Sequence, residues 1–146
     1  MSGFTRGAWL GYYQKMAAAD VFVYLDDVQY RKRAFQNRNR IKTPDGPLWL
    51  TVPVATRGLR FQKVRGVKVC PGDWPSRHFE ALRHNYARAP YFHEHEDWLR
   101  GLYARPWERL MDLNLELDRY FRRCLGIRSA LVLESEVGSE GGATAR

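Results

Sequence analysis

Residues 20–30 read DVFVYLDDVQY: five apolar residues in succession, Val21-Phe22-Val23-Tyr24-Leu25, stopped by the adjacent carboxylates Asp26 and Asp27. β-Branched and aromatic side chains dominate the run, and its shortness favours a strand over a buried helix segment. A continuous apolar run of this kind predicts a strand covered on both faces, as in a parallel sheet. Residues 128–133 are a second short apolar run, and it too ends in carboxylates, at Glu134-Ser135-Glu136. In open sheets of α/β proteins, ligands sit beyond the carboxyl ends of the strands. Both acid-terminated runs would point their ends there.

The segment that follows the first run, residues 31–42, reads RKRAFQNRNRIK and holds six cationic side chains and no acid. If residues 37–40 are extended, Asn37 and Asn39 share one face while Arg38 and Arg40 share the other. Guanidinium groups grip phosphate or carboxylate through two parallel hydrogen bonds, and amides supply neutral donors and acceptors for sugar or amide groups. Two readings stand. The segment is an anion-binding site, or it is a solvated basic face, as charge runs usually are. Gln29 and Tyr30 fit the lining of the same cleft, with simple packing equally open for Tyr30. Lys32 and Arg33 complete the cationic set.

Asp26 and Asp27 are adjacent, so in an extended chain they face opposite sides and do not form a paired-carboxylate site. Six cations close behind them should lower their pKa values. That favours orienting a ligand or an arginine, or holding Mg²⁺, over donating a proton. Strand termination with salt bridges to Arg31 or Arg33 is the alternative. The candidate catalytic residues are thus Asp26 and Asp27. The candidate substrate-binding residues are Gln29, Tyr30, Lys32, Arg33, Asn37, Arg38, Asn39 and Arg40.

Elsewhere the periodicity is legible. Trp9, Tyr12, Tyr13 and Met16 recur at helical spacing. Pro44-Asp45-Gly46-Pro47 is a turn, because proline pre-sets its dihedral and Gly46 tolerates a positive φ. Residues 49–54 read as a second strand, residues 56–59 as a loop, and Val64, Val67 and Val69 as a third, weaker strand. Helices are expected over residues 76–88, capped by Ser76, over 94–104 and over 107–125. The last buries Leu110, Met111, Asn114, Leu117, Phe121, Cys124 and Leu125, and Gly126 stands where a terminating glycine belongs. Strands alternating with helices define an α/β fold with a mixed, mainly parallel sheet and several helices in the C-terminal half.

The length of 146 residues fits one domain, expected over residues 1–137 with a flexible tail over 138–146. Residues 1–65 carry twelve Lys/Arg against four acids and residues 66–146 twelve against twelve, so the entire net charge of +8 sits in the first half. A field polarised in this way concentrates anionic partners such as phosphates, nucleotides, nucleic acid or acidic glycans. Cys70 and Cys124 lack metal-ligand spacing and are expected to be reduced thiols. No stretch reaches the roughly 18 apolar residues that span a bilayer, and no signal peptide is visible, so a cytoplasmic protein is expected. His93 and His95 are two apart, as His78 and His84 are six apart, and neither spacing suits tetrahedral zinc. Nucleophile triads, glycine-rich dinucleotide loops and phosphate loops are absent, so the expected ligand set contains no metal and no cofactor is assigned.

Taken in order, Asp20 through Tyr30, Lys32-Arg33, Gln36-Asn37-Arg38-Asn39-Arg40-Ile41-Lys42 and Trp49-Leu50-Thr51-Val52-Pro53-Val54 resemble the signature block of the WbqC-like proteins. Asn85-Tyr86-Ala87-Arg88-Ala89-Pro90-Tyr91-Phe92 and Leu125-Gly126-Ile127 resemble it more weakly. These are bacterial proteins often encoded among surface-polysaccharide (O-antigen) genes. The resemblance implies an enzyme of polysaccharide assembly, a transferase moving an amino-acid or acyl group to a sugar from an anionic nucleotide-linked or acyl-activated substrate. A nucleic-acid-binding module using the same basic segment is the rival, with Tyr30 and Phe35 as stacking platforms. An inactive fragment of the family fold is the third reading. Residues 3–8 stand where family members carry a Gln-Pro…Tyr…Pro segment, and the family pattern continues past Arg146, so truncation at both ends is expected.

Overall fold

Residues 21–24 do form a strand, β1 (Val21–Tyr24), and its partner is the second acid-terminated run, β4 (Ala130–Leu133). The two pair in parallel, Val21 opposite Ala130 and Tyr24 opposite Leu133. The computed structural model describes residues 10–32 and 34–140; expectations attached to Trp9, Arg33 and residues 141–146 lie outside them. Between β1 and β4 run a hairpin of β2 (Arg38–Thr43) and β3 (Gly46–Thr51), a single 3₁₀ turn at Val64–Gly66, and the helices α2 (Trp74–Tyr86), α3 (Phe92–Ala104) and α4 (Leu110–Cys124). Helix α1 (Leu10–Ala17) precedes β1, and α5 (Glu134–Glu140) follows β4 directly. The class is α/β, with one parallel pair and one antiparallel hairpin.

Alternation along β1 sends Phe22 and Tyr24 to one face, where α1 and α4 cover them. Phe22 packs with Tyr12, Tyr13, Met16 and Phe121, while Tyr24 joins Met111, Leu115, Leu131 and Leu133. Val21 and Val23, on the opposite face, are 54 % and 41 % exposed, which departs from the two-sided covering expected of the run. Both covering helices lie on the same side of the pair, so a strand with an interior composition has only one buried face.

The second half of the basic segment, from Arg38 to Lys42, lies in the first strand of the hairpin. Pro44 and Asp45 make the turn, Gly46 takes φ 106°, and Thr43 Oγ1 donates to the Gly46 carbonyl at 2.6 Å. The ladder runs from Thr43 opposite Gly46 to Arg38 opposite Thr51. Two contacts hold the hairpin on α2: the Lys42 N–H donates to Tyr86 Oη at 3.0 Å, and His78 Nε2 meets the Thr51 carbonyl at 3.1 Å. The expected third strand is instead the 3₁₀ turn with isolated bridges from Val69 to Val54 and from Lys68 to Arg109. Val64 and Val67 explain the difference. They are three apart and both fully buried, a spacing that a 3₁₀ turn eclipses and a strand would send to opposite faces.

The main core gathers Tyr30, Val52, Val64, Val67, Trp74, Leu102, Leu110 and Leu113. Helix α2 starts two residues earlier than expected, with Asp73 as its cap residue and Pro75 in the first turn, where a missing N–H costs nothing. Helix α4 starts later, because residues before it are extended: Arg109 bridges Lys68, and the Val67 carbonyl accepts from the Leu110 N–H. Its buried stripe holds Leu110, Met111, Leu113, Leu115 and Asp118, while Cys124 and Leu125 are exposed rather than buried. Both cysteines are free thiols.

Gly126 terminates α4 in the left-handed region at φ 66°. The Ile127 N–H reaches the Arg122 carbonyl at 2.9 Å and the Gly126 N–H reaches that of Arg123 at 3.2 Å, which is the paired bonding of a Schellman cap. A Cβ at Gly126 meets no atom within 4 Å, so the cost of substitution is conformational. Gly126→Ala should therefore lower the unfolding free energy by about 1 kcal/mol, read from urea midpoints at unchanged slope.

Candidate functional site

The carboxyl ends of β1 and β4 bring Asp26 beside α5. Asp26 is 1 % exposed; its Oδ1 accepts from the Ser135 N–H at 2.9 Å and its Oδ2 from Ser135 Oγ at 2.5 Å. The first N–H groups of a helix have no partner within it, and Asp26 caps one of them from across the fold. Its own carbonyl accepts from the Arg65 N–H at 3.0 Å. Asp27, in the bend that follows β1, takes different partners. It pairs with Lys63 at 2.7 Å and with Arg65 at 3.0 Å. The Lys63 hydrogen bond, with Arg65 adding its charge, holds the Asp27 carboxyl below the usual carboxylate range. The lowered pKa agrees with expectation, but the cations responsible come from the 3₁₀ turn and not from residues 31–42.

Residues 29–40 divide by role. Gln29 Nε2 donates to the Arg60 carbonyl at 3.1 Å. Tyr30 is 5 % exposed inside the main core, where burial raises its phenol pKa against the opposing charge of Arg38. Packing therefore describes Tyr30, which leaves it unable to serve as a stacking platform. Lys32 is exposed. Asn37 extends the hairpin by one rung: its Nδ2 donates to the Val52 carbonyl at 2.9 Å and its own carbonyl accepts from the Val52 N–H at 2.8 Å. Asn39 Oδ1 accepts from the Arg40 N–H at 2.8 Å. Both amides are thus engaged with backbone.

Arg38 and Arg40 do share a face, and the hairpin register adds a residue that sequence reasoning passed over. Trp49 stands opposite Arg40, with the Arg38 guanidinium 4.5 Å and the Arg40 guanidinium 5.2 Å from its ring centroid. Phe35 lies 5.6 Å away from the same indole, tilted by 36°. Trp49 is 41 % and Phe35 39 % exposed. The outcome is an exposed patch in which two guanidinium groups lie over an indole, able to take an anion against the arginines and a planar ring against the aromatic and guanidinium surfaces. Alternation in residues 38–40 was readable; the cross-strand position of Trp49 depends on the turn at residues 44–45.

Two further groups were not anticipated. Asp118 on α4 is 1 % exposed and accepts hydrogen bonds from Tyr12 Oη at 3.1 Å and Tyr13 Oη at 2.9 Å. Burial pushes its carboxyl up to about 6, against the opposing hydrogen bonds of the phenols, and burial likewise drives both phenol pKa values upward. A shallow cleft of about 310 Å³ opens between the start of α2 and the end of α3, lined by Ser76, Phe79, Arg100 and Tyr103 among others, and by none of residues 26–40. Among the described residues, no group of three His, Cys, Asp or Glu is arranged to hold a metal ion. None of the described helices is long and apolar enough to cross a membrane.

An α/β protein with acid-terminated parallel strands and a guanidinium–indole hairpin is what the geometry defines. The profile of the WbqC-like protein family matches residues 8–146, nearly the whole chain, and the chain belongs to that family. It is also 41 % identical, over 124 residues, to the uncharacterized protein Rv1507c of Mycobacterium tuberculosis. That match covers 84 % of this chain and 54 % of the relative, so the chain spans about half the length of the curated relative it matches. No solved structure matches.

Proposed function

We propose that this WbqC-like protein acts in the assembly of bacterial surface polysaccharide, as a transferase that takes an anionic, nucleotide-linked or acyl-activated donor and moves an amino-acid or acyl group to a sugar. The observation that carries the reading is the stacking of Arg38 and Arg40 over the exposed Trp49 ring. A nucleotide-linked donor presents a flat base and a charged phosphate group a short distance apart, and this face offers a complement to each. In this reading Asp27 positions the reacting group.

Titration calorimetry with nucleotide sugars and acyl donors tests the proposal. Trp49→Ala and the Arg38→Ala/Arg40→Ala pair should each weaken donor binding by about tenfold or more, the effect of losing a stacked ring or charged hydrogen bonds. Undiminished binding by either variant would remove the hairpin from the mechanism.

The second reading, a single-stranded nucleic-acid module, draws on the same exposed Phe35 and Trp49 beside cations. Salt separates the two. Contact with a phosphate backbone weakens steeply as salt rises, whereas a donor site discriminates among bases and sugars at fixed salt.

A further inference from the structure

The most exposed large apolar side chain described is Phe61, at 76 %, and Leu59 two residues before it is 46 % exposed. Both stand on the loop between Ala55 and Gln62, and that loop is tied at its base. Gln62 Nε2 donates to the Ala55 carbonyl at 2.8 Å, the Tyr30 N–H donates to the Gln62 carbonyl at 2.9 Å, and Gln29 Nε2 holds the Arg60 carbonyl. A turn from the Thr56 carbonyl to the Leu59 N–H, with Gly58 at φ 73°, shapes the tip. Side-chain and backbone hydrogen bonds from two segments thus fix a loop whose two apolar side chains are turned toward solvent.

The surroundings of the tip are cationic. Arg57 and Arg60 are exposed on the loop itself, with the Arg60 guanidinium 5.7 Å from the Phe61 ring centroid. Arg31 and Lys32, also exposed, continue directly from the Gln29-Tyr30 segment to which the loop is bonded. The half of the chain that contains all of them carries the entire net charge of +8. Exposed apolar side chains set beside arginine and lysine match the layered chemistry of an anionic bilayer surface, with acyl chains below and phosphates above them. Leu59 favours a lipid surface over a nucleic acid, because an aliphatic side chain offers no face for base stacking.

We propose that residues 57–61 form a peripheral docking loop for anionic membrane, with Leu59 and Phe61 entering the interface and Arg57 and Arg60 engaging lipid phosphates. This inference is independent of the hairpin face and of any donor bound there.

Co-sedimentation of the chain with vesicles of equal parts phosphatidylcholine and phosphatidylglycerol provides the test, with phosphatidylcholine vesicles as the comparison. Wild type should sediment with the anionic vesicles and much more weakly with the neutral ones. Phe61→Ser and Leu59→Ser should each weaken partitioning, Phe61→Ser by about tenfold, since each removes an apolar group from the interface. Arg57→Gln/Arg60→Gln should weaken it and flatten its salt dependence. These side chains are exposed, so far-UV circular dichroism and the urea midpoint should match wild type and exclude a folding defect. The proposal fails if wild type does not bind the anionic vesicles, or if Phe61→Ser binds them as tightly as wild type. It fails equally if Phe61 instead mediates self-association, seen as a concentration-dependent dimer that Phe61→Ser abolishes.

Discussion

Asp26→Ala should destabilise the protein by about 3 kcal/mol, a large part of the 5–15 kcal/mol typical of a domain. The magnitude follows from what the alanine leaves behind. Ser135 would lose the acceptor for both its N–H and its hydroxyl, and the N–H belongs to the first turn of α5, where no helical carbonyl is available. One partner is almost wholly buried, a condition under which an orphaned donor costs most. Asp26→Asn should cost far less, about 1 kcal/mol, because the amide oxygen still accepts from the N–H and the hydroxyl rotates to accept from the amide. Urea unfolding of the two variants beside Ser135→Ala measures the difference. If Asp26→Ala unfolds at the wild-type midpoint, Asp26 does not hold the strand ends together. A catalytic role would then be the remaining reason for a carboxylate there.

Asp118 should make stability fall as pH rises from about 4 to about 6. Burial lifts its folded-state carboxyl from 3.8 to about 6. Between those values the folded protein holds a proton that the unfolded chain has released, so the neutral form favours folding and raising the pH removes that advantage. Above both values the charged carboxylate is buried against Tyr12 and Tyr13, with Arg122 as the cation that eases it. A displacement of about two pKa units is worth about 3 kcal/mol across the window. Asp27 slopes the other way, since its lowered pKa contributes stability that is present above the unfolded value and lost in acid. The difference between wild type and Asp118→Asn isolates the buried group. The variant should lose the downward slope and match or exceed wild type at pH 7.5, because an amide can accept from one phenol and donate to the other. Asp118→Ala, which orphans both phenols, should be less stable than wild type throughout. An identical pH profile for wild type and Asp118→Asn would mean that folding leaves the Asp118 carboxyl at its ordinary pKa and would overturn the prediction.

The two carboxylates illustrate how unevenly the sequence discloses such groups. Asp26 attracts notice because it ends an apolar run, and alternation in an extended chain predicts that Asp26 and Asp27 do not share a site. Their partners do not. Ser135 lies over one hundred residues away and meets Asp26 only because β1 and β4 pair in parallel, while Lys63 and Arg65 reach Asp27 from a turn that had read as a strand. Asp118 sits among Glu116, Leu117, Arg119 and Tyr120, a context that reads as a solvated helix face. Only the docking of α1, with two adjacent phenols, turns it inward.

By itself the sequence determined the elements whose signals are local. These are the two acid-ended strands, the proline–glycine turn, the glycine that stops α4, the α/β class and the family. It also settled which residues of the basic segment share a face, since a strand's alternation needs no partner. Tertiary structure alone decided what those faces meet. Pairing register set Trp49 against two arginines, helix docking left Val21 and Val23 of β1 exposed, and long-range hydrogen bonds engaged Asn37 with Val52 and Asp26 with Ser135. The physical reason is one of range: dihedral preference and periodicity act within a few residues, whereas burial and ion pairing depend on segments joined only when the chain closes on itself.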